Sequence, residues 1–178
     1  MTAGAALASR IDAAWAVLAG VPDPEVPAVS LCDLGIVRDV RHAEGGGLHV
    51  VLTPTYSGCP ATEVIAASVA DALLAAGLGP VRVEHRLAPA WTTDWISADG
   101  RRKLREYGIA PPSGLAAAGG SGAADGAAVA IRIRPRAVEC PRCGSLQTER
   151  ISAFGSTACK ALHRCLDCRE PFEHFKPI

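Results

Sequence analysis

Apolar residues recur along the N-terminal part of the chain at two periods, one typical of helices and one typical of strands. Residues 5–19 and 63–76 each carry an apolar stripe at spacings of three and four, which predicts two amphipathic helices. Strands are predicted at 36–41, 48–53 and 81–87, where β-branched residues or strict alternation prevail. The predicted order is α-β-β-α-β, which indicates a small α+β domain.

A short helix is predicted after the third strand. Ser97 is suited to cap this helix, which is predicted to run through Arg105 and to end at Gly108. Trp91 and Trp95 stand four residues apart in the irregular stretch before it. Tryptophans in such a stretch either line a partner surface or cover the end of the core, and the sequence leaves both readings open.

A stretch made almost wholly of glycine, alanine and serine divides the chain at residues 113–128. We therefore predict a flexible linker over residues 111–131. It joins the α+β domain, at 1–110, to a C-terminal module at 132–178. A module of that size is too small to be stable through its own core, so we expect a disulfide or a metal to hold it together.

Charge and composition exclude several classes of protein. The chain has 18 Lys and Arg against 18 Asp and Glu, so bulk electrostatics favour neither nucleic acid nor a membrane surface as a partner. We find no secretory signal and no apolar run long enough to span a bilayer. The cysteine count is odd, at seven, which argues against a secreted disulfide framework. We expect the protein in a reducing cytoplasm.

Four of the cysteines form two Cys-x-x-Cys pairs near the C-terminus. Cys140 and Cys143 make the first pair, Cys165 and Cys168 the second, with 21 residues between the pairs. Each spacing allows a tight turn that aims two sulfurs at one ion, and two such turns complete a tetrahedral four-thiolate site. We predict a structural zinc ribbon. A rubredoxin-like iron site is the alternative, since the same ligands accept iron.

A fifth cysteine, Cys59, lies at the junction between the second strand and the second helix. Because Pro60 is suited to the first helical position, Cys59 is predicted to cap the helix. The positive end of the helix would then lower the pKa of its thiol, so we interpret Cys59 as a functional thiolate rather than an apolar filler. Cys159 is a further thiol in the ribbon, either free and reactive or buried and inert.

Several segments resemble a known domain. Residues 23–25, 33–37 and 55–60 are similar to the SufT-like domain of iron–sulfur assembly proteins. The resemblance is narrower when the rest of the chain is included. The chain is similar to the PaaD family of accessory subunits of phenylacetyl-CoA epoxidase at residues 89–97, at residues 155–162 and at the two cysteine pairs. The resemblance covers almost the whole chain except the linker. It implies the fold predicted above, namely a SufT-like α+β domain followed by a zinc ribbon.

The resemblance implies a role in assembling or maintaining the iron or iron–sulfur centres of the epoxidase. Cys59 would be a transient ligand of iron or of a cluster. Asp23, Glu25 and Asp33 would lie near it, as carboxylate helpers or as residues that fix their loops. We expect no catalysis by the chain alone, because no Ser/His/Asp or Cys/His order accompanies the thiols.

The implied partners are the oxygenase and reductase subunits of the epoxidase. The ribbon, with Trp91 and Trp95, would dock one of them. One cysteine cannot hold a cluster, so a homodimer that pairs two copies of Cys59, or a ligand from the client, would be needed. Two alternatives stay open: a purely structural docking subunit, and a thiol-dependent hydrolase or reductase that uses Cys59 or Cys159.

Overall fold

The computed structural model of the chain describes residues 3–112 and 137–177. Its first part has the predicted α-β-β-α-β order. The elements are α1 (Ala3–Leu18), β1 (Val37–Ala43), β2 (Gly47–Leu52), α2 (Thr62–Ala75) and β3 (Val81–His85). Each lies within two residues of its prediction at both ends. All but the first two residues of the predicted linker lie outside the described residues.

The three strands form one sheet in the order β1-β2-β3. β1 and β2 are antiparallel, as expected of a hairpin, whereas β3 runs parallel to β2 because the chain crosses over through α2. All six residues of the central strand β2 are buried. Helix α2 buries Ile65, Val69 and Leu73, and α1 buries Leu18 in the same core. A central strand flanked by neighbours has little solvated surface, which explains why every position except His49 is apolar or glycine.

The short helix near the end of this domain follows its prediction closely. A single turn of 3-10 helix, Thr93–Trp95, comes first, and α3 spans Ala98–Tyr107. The hydroxyl of Ser97 accepts a hydrogen bond from the backbone N–H of Gly100 at 2.8 Å, so Ser97 caps the helix as predicted. Gly108 ends it with a φ of +93°, in the left-handed region that glycine tolerates.

The C-terminal strands are β5 (Thr148–Ser152), β6 (Lys160–Cys165) and β7 (Pro171–Phe175), an antiparallel ribbon. A two-residue strand, β4 (Ile109–Ala110), joins its edge in parallel with β7, giving the order β4-β7-β6-β5. The residues just after α3 therefore belong to the sheet of the ribbon. The boundaries of the domains at 110 and 132 stay predictions.

The ribbon packs against the α+β domain through buried side chains. Phe175 is 1% exposed and belongs to the same core cluster as the β-sheet and helices of the first domain. Its ring lies 5.8 Å from that of Trp91, centre to centre. Arg105 and Glu139 form an ion pair across the two parts, with a shortest distance of 2.6 Å. The two parts thus share one core.

Trp91 does not belong to a partner surface, contrary to the expectation from the resemblance. It is buried, and its indole N–H donates a hydrogen bond to the carbonyl oxygen of Leu34 at 2.9 Å. Apolar contact with Phe175 makes burial favourable, and the hydrogen bond satisfies the single polar atom of the ring. Trp95 is half-buried beneath the guanidinium of Arg38, 3.5 Å from the ring centre, and its role in docking stays a prediction.

Candidate functional site

The proline-rich loop after α1 fixes the first predicted carboxylate. Asp23 is 6% exposed, and its Oδ1 accepts hydrogen bonds from the backbone N–H groups of Glu25, at 3.0 Å, and Val26, at 2.8 Å. Burial raises the pKa of Asp23 above its usual value, although these hydrogen bonds oppose the change. Burial and the neighbouring Asp23 charge likewise raise the pKa of Glu25. Both groups therefore lie where negative charge is poorly solvated.

Cys59 lies before the helix rather than at its cap. Helix α2 begins at Thr62 with Ala61 as its cap residue, so the predicted cap position of Cys59 is wrong. The reason is an extra turn: the Thr62 hydroxyl donates to the carbonyl oxygen of Cys59 at 2.7 Å, and the Thr62 N–H reaches the same oxygen at 3.3 Å. Pro60 lies inside this turn instead of at the first helical position.

The thiol of Cys59 is half-buried, and its pKa is raised, not lowered as predicted. Burial is the main cause, and the nearby charges of Glu25 and Asp23 add to it. A hydrogen bond from the backbone of Ala61 lowers the pKa but does not outweigh burial. In the protein alone the thiol is thus protonated at neutral pH, and a bound cation would be needed to favour the thiolate.

Asp23, Glu25 and Cys59 line one small cavity. Two residues of the ribbon, Cys159 and Phe175, complete its wall, and the other lining residues are largely apolar. Its volume is about 20 Å³, room for about one water molecule or one small ion. No signal in the sequence indicated that Cys159 would lie in the same cavity as Cys59.

Cys159 is 5% exposed, and burial raises the pKa of its thiol. The hydroxyl of Thr157 lies 3.0 Å from its sulfur and opposes this rise. The sequence left Cys159 either reactive or buried and inert. It is buried, but in the wall of a cavity that holds a second thiol and two carboxylates.

Lys160, the next residue, is a further functional candidate. It is 2% exposed, and its Nζ lies 2.8 Å from Oε2 of Glu173. Its positive charge also lowers the pKa of Asp23 and of Glu25, although their pKa values remain raised. Lys160 therefore offsets only part of the negative charge gathered beside the two thiols.

Asp33 lies outside this cavity. Its Oδ2 accepts hydrogen bonds from the Ser30 N–H, at 2.9 Å, and from the Lys103 ammonium, at 2.8 Å, while its Oδ1 lies 3.3 Å from the hydroxyl of Ser97. Burial raises the pKa of Asp33, but the hydrogen bonds from Lys103 and Ser30 outweigh it and hold the pKa below its usual range. These contacts match loop fixing, one of its two expected roles, and do not place it beside Cys59.

The four ribbon cysteines converge as predicted. The Sγ atoms of Cys140, Cys143, Cys165 and Cys168 all lie within 4.8 Å of one another. The Cys140–Cys168 and Cys143–Cys165 separations are 3.8 and 3.5 Å. Zinc–sulfur bonds of about 2.3 Å in a tetrahedron require sulfurs about 3.8 Å apart. The residues thus fit one tetrahedral metal ion.

Local backbone geometry produces this convergence. Within the first pair, the Gly144 N–H donates to the Cys140 carbonyl at 2.9 Å, and Gly144 has a φ of +77°. Within the second pair, the backbone N–H of Cys168 points at the sulfur of Cys165, 3.5 Å away. Among the described residues, this is the one group of three or more candidate ligands gathered around a common point. The Cys59 cavity, by contrast, does not bring three ligand atoms together.

Two family models match the chain. One, described as the PaaD zinc beta ribbon domain, matches residues 125–176, and the other, described as an iron–sulfur cluster assembly protein, matches residues 11–84. The chain is also 49% identical over 164 residues to an Escherichia coli (strain K12) protein named as a subunit of a "Putative 1,2-phenylacetyl-CoA epoxidase". The match covers 92% of this chain and 91% of that protein. The chain belongs to the PaaD family of phenylacetyl-CoA epoxidase subunits. The resemblance seen in the sequence is thus confirmed.

The first domain of this PaaD family member has further relatives. It is 39% identical over 80 residues to the iron–sulfur protein maturation auxiliary factor YitW of Bacillus subtilis, covering 43% of this chain and 76% of that protein. A Porphyromonas gingivalis maturation auxiliary factor is 30% identical over 89 residues, covering 49% and 84%. A crystal structure of a domain of unknown function, DUF59, from Bacillus anthracis matches with a TM-score of 0.52 and 25% identity, covering 57% of this chain and 96% of that one.

The structural match confirms the predicted SufT-like α+β class, and the ribbon family with the converged cysteines confirms the second module. None of the helices in the described part of the chain is long and apolar enough to cross a membrane.

Proposed function

We propose that the chain is an accessory subunit of a phenylacetyl-CoA epoxidase and that it helps to assemble or maintain the iron or iron–sulfur centres of that enzyme through Cys59. Similarity to the Escherichia coli epoxidase protein over most of the chain supports the first part. The relatives of the first domain named as maturation factors, and its match to the iron–sulfur assembly family, support the second.

The observation that carries the proposal is the setting of Cys59. Its half-buried thiol opens on a cavity that also holds the carboxylates of Asp23 and Glu25. A sulfur ligand beside carboxylate oxygens suits ferrous iron, which accepts both. A structural core cysteine would gain nothing from two poorly solvated acids, whereas an incoming cation would be stabilised by them.

The cavity also suits a temporary ligand site better than a permanent one. It does not bring three candidate ligand atoms around a common point, as the ribbon cysteines do. A cation held there would keep open coordination positions, through which a receiving protein can take it over. The remaining ligands would come from a client protein or from a second copy of the chain, which would make a homodimer.

The ribbon has a different role in this proposal. Its four thiolates would hold zinc, which supplies the folding free energy that the small ribbon core lacks. With Trp95 at the edge of the first domain, the ribbon would contact the oxygenase or the reductase subunit. We place this assembly in the cytoplasm.

The test is a Cys59→Ser variant, co-produced with the oxygenase and reductase subunits. We expect both subunits to be made in normal amounts but with reduced iron content and reduced epoxidase activity. Cys32→Ser is the matched control, because Cys32 is also half-buried but lies outside the cavity, where burial raises its pKa to about 11. Normal iron content in the Cys59→Ser complex would refute the iron-handling role.

A purely structural docking subunit is the second candidate. Exposed apolar side chains on the ribbon favour it, namely Leu146, Ile151, Phe154 and Leu166. In that case the Cys59→Ser complex keeps full iron content, while deletion of the whole chain lowers the recovery of assembled oxygenase and reductase. The same purification and iron analysis therefore separate the two candidates.

A further inference from the structure

We propose that Cys159 is the second thiolate of the Cys59 site, so that one chain offers a pair of cysteine ligands to a thiophilic divalent cation such as ferrous iron. This deepens the proposed function by assigning a second ligand at the same site. It removes the need for a second copy of the chain to supply a sulfur partner for Cys59.

Cys59 and Cys159 have the same surroundings, and the inference rests on this observation. Both cysteines line the same small cavity, one from the segment before α2 and the other from the residue before β6. The charge of Glu25 raises the pKa of both thiols. The two cysteines in turn both raise the pKa of Tyr56. Both thiols and the Glu25 side chain therefore line one cavity, which has room for about one ion.

The fold holds Cys159 in this position. Its carbonyl oxygen accepts a hydrogen bond from the Lys176 N–H at 2.9 Å, just after β7. The adjacent residue, Lys160, pairs with Phe175 in the β6–β7 ladder. Phe175 lines the same cavity and packs on Trp91. Docking of the ribbon thus presents the Cys159 thiol to Cys59 as a fixed feature of the fold.

The charges around the pair favour a cation. The Lys160 ammonium group pairs with Glu173 at 2.8 Å and also acts electrostatically on Asp23 and Glu25, so one positive charge serves three carboxylates. A divalent cation that binds both cysteines would displace their two thiol protons to solvent, and no electron would be transferred. The bound ion would then offset the carboxylate charge that Lys160 leaves uncompensated.

A merely structural cysteine would need none of these neighbours. Cys32 illustrates the contrast: it is half-buried in the same domain, but it does not line the cavity, and the charge that raises its pKa is that of Asp33. Cys159 instead lies among two acids, a second thiol and the hydroxyl of Thr157. A bound ion would keep open coordination positions, because the described residues do not draw three ligand atoms together in this cavity.

The test uses the full-length chain with zinc retained in the ribbon. The protein is titrated with Co²⁺ without oxygen, and the thiolate-to-cobalt charge-transfer absorption is recorded. We expect one Co²⁺ per chain, bound while the zinc stays in place. Cys59→Ser and Cys159→Ala should each reduce the absorption per bound ion to about half, because one of two thiolates is lost, and should weaken binding. Cys32→Ser should behave as the wild type.

Zinc content and circular dichroism first establish that Cys159→Ala is folded. If this variant then binds Co²⁺ as the wild type does, Cys159 is not a ligand, and the proposed role of Cys59 is unaffected. Absence of Co²⁺ binding in the wild type would also overturn the pair, whereas the iron content of the epoxidase decides the proposed function separately.

A second measurement does not depend on how the variants fold. X-ray absorption at the cobalt edge counts the sulfur atoms bound to Co²⁺ in the zinc-loaded wild type. We expect two sulfur ligands for the ion in the cavity. One sulfur ligand or none would contradict the pair.

Discussion

Replacing Phe175 by alanine tests whether the ribbon and the α+β domain share one core. Phe175 lies on β7 of the ribbon, yet it is 1% exposed and packs within the core of the first domain. Its ring contacts that of Trp91, with centres 5.8 Å apart. The substitution removes nearly the whole apolar side chain from a site that neighbouring strands and helices keep from collapsing.

The expected loss in the free energy of unfolding is large for a single substitution. A fully buried phenylalanine replaced by alanine costs about 3–5 kcal/mol, which includes both the lost burial of apolar surface and the cavity left behind. The lost aromatic contact with Trp91 accounts for about 0.5–1.5 kcal/mol of this. A folded domain is stable by about 5–15 kcal/mol, so Phe175→Ala should remove a substantial fraction of the total.

Urea unfolding of the zinc-loaded protein, followed by tryptophan fluorescence, measures this cost. Phe154→Ala is the matched control: Phe154 is in the same ribbon but is 64% exposed, and its ring lies 4.5 Å from the Lys176 ammonium. We expect the control to lose less than about 1 kcal/mol. If Phe175→Ala lost no more than Phe154→Ala, the ribbon would not be docked as the structure has it, and the reasoning would be refuted.

Three further predictions concern the same fold. Gly35→Ala should cost about 2–4 kcal/mol in urea unfolding, because Gly35 has a φ of +67° and a Cβ there would lie 2.7 Å from the backbone of Trp95. Gly45→Ala, at a φ of +89° in open space, should cost only about 1 kcal/mol, and equal costs would contradict the close contact. Asp33→Asn should cost about 1–2 kcal/mol at neutral pH. Since the pKa of Asp33 is lowered in the folded protein, its contribution is present above about pH 4 and is lost as the pH falls through the folded pKa, so the two unfolding curves should converge in acid. A constant difference at all pH values would exclude the charge as the cause. Removal of the ribbon metal by a chelator should lower the urea midpoint reported by tryptophan fluorescence, because the two parts share a core, and an unchanged midpoint would contradict that coupling.

Local features of the fold could be predicted from the sequence because they depend on near neighbours. The helix from Ala98 to Tyr107 follows from a serine at one end and a glycine at the other, and both act where they were expected. The two Cys-x-x-Cys pairs likewise encode their own turns, so their convergence on one point was predictable. Helical and strand periods gave the α-β-β-α-β order for the same reason.

What could not be predicted depends on contacts between distant residues. β4 has two residues, too few to show a hydrophobic period, and its pairing with β7 joins the end of the first domain to the sheet of the ribbon. The pKa of Cys59 was predicted from the helix end alone, but burial reverses its direction. The sequence left Trp91 either on a partner surface or over the end of the core. Its burial depends on contact with Phe175, which lies 84 residues later in the chain.

The same docking contact links stability to the proposed metal site. Cys59 and Cys159 are 100 residues apart in sequence, and they line one cavity only because Phe175 and β4 hold the ribbon against the first domain. A cation that binds both thiols binds only the docked arrangement, so by linkage it must stabilise docking by as much as docking favours its binding. Co²⁺ should therefore raise the urea midpoint of the zinc-loaded wild type but not that of Cys159→Ala. Phe175→Ala, which loosens the ribbon without altering any ligand, should in turn weaken Co²⁺ binding at the pair. If Co²⁺ raised the urea midpoint but Phe175→Ala did not weaken Co²⁺ binding, or the reverse, this reciprocity would be broken. The two thiols would then not act as one site.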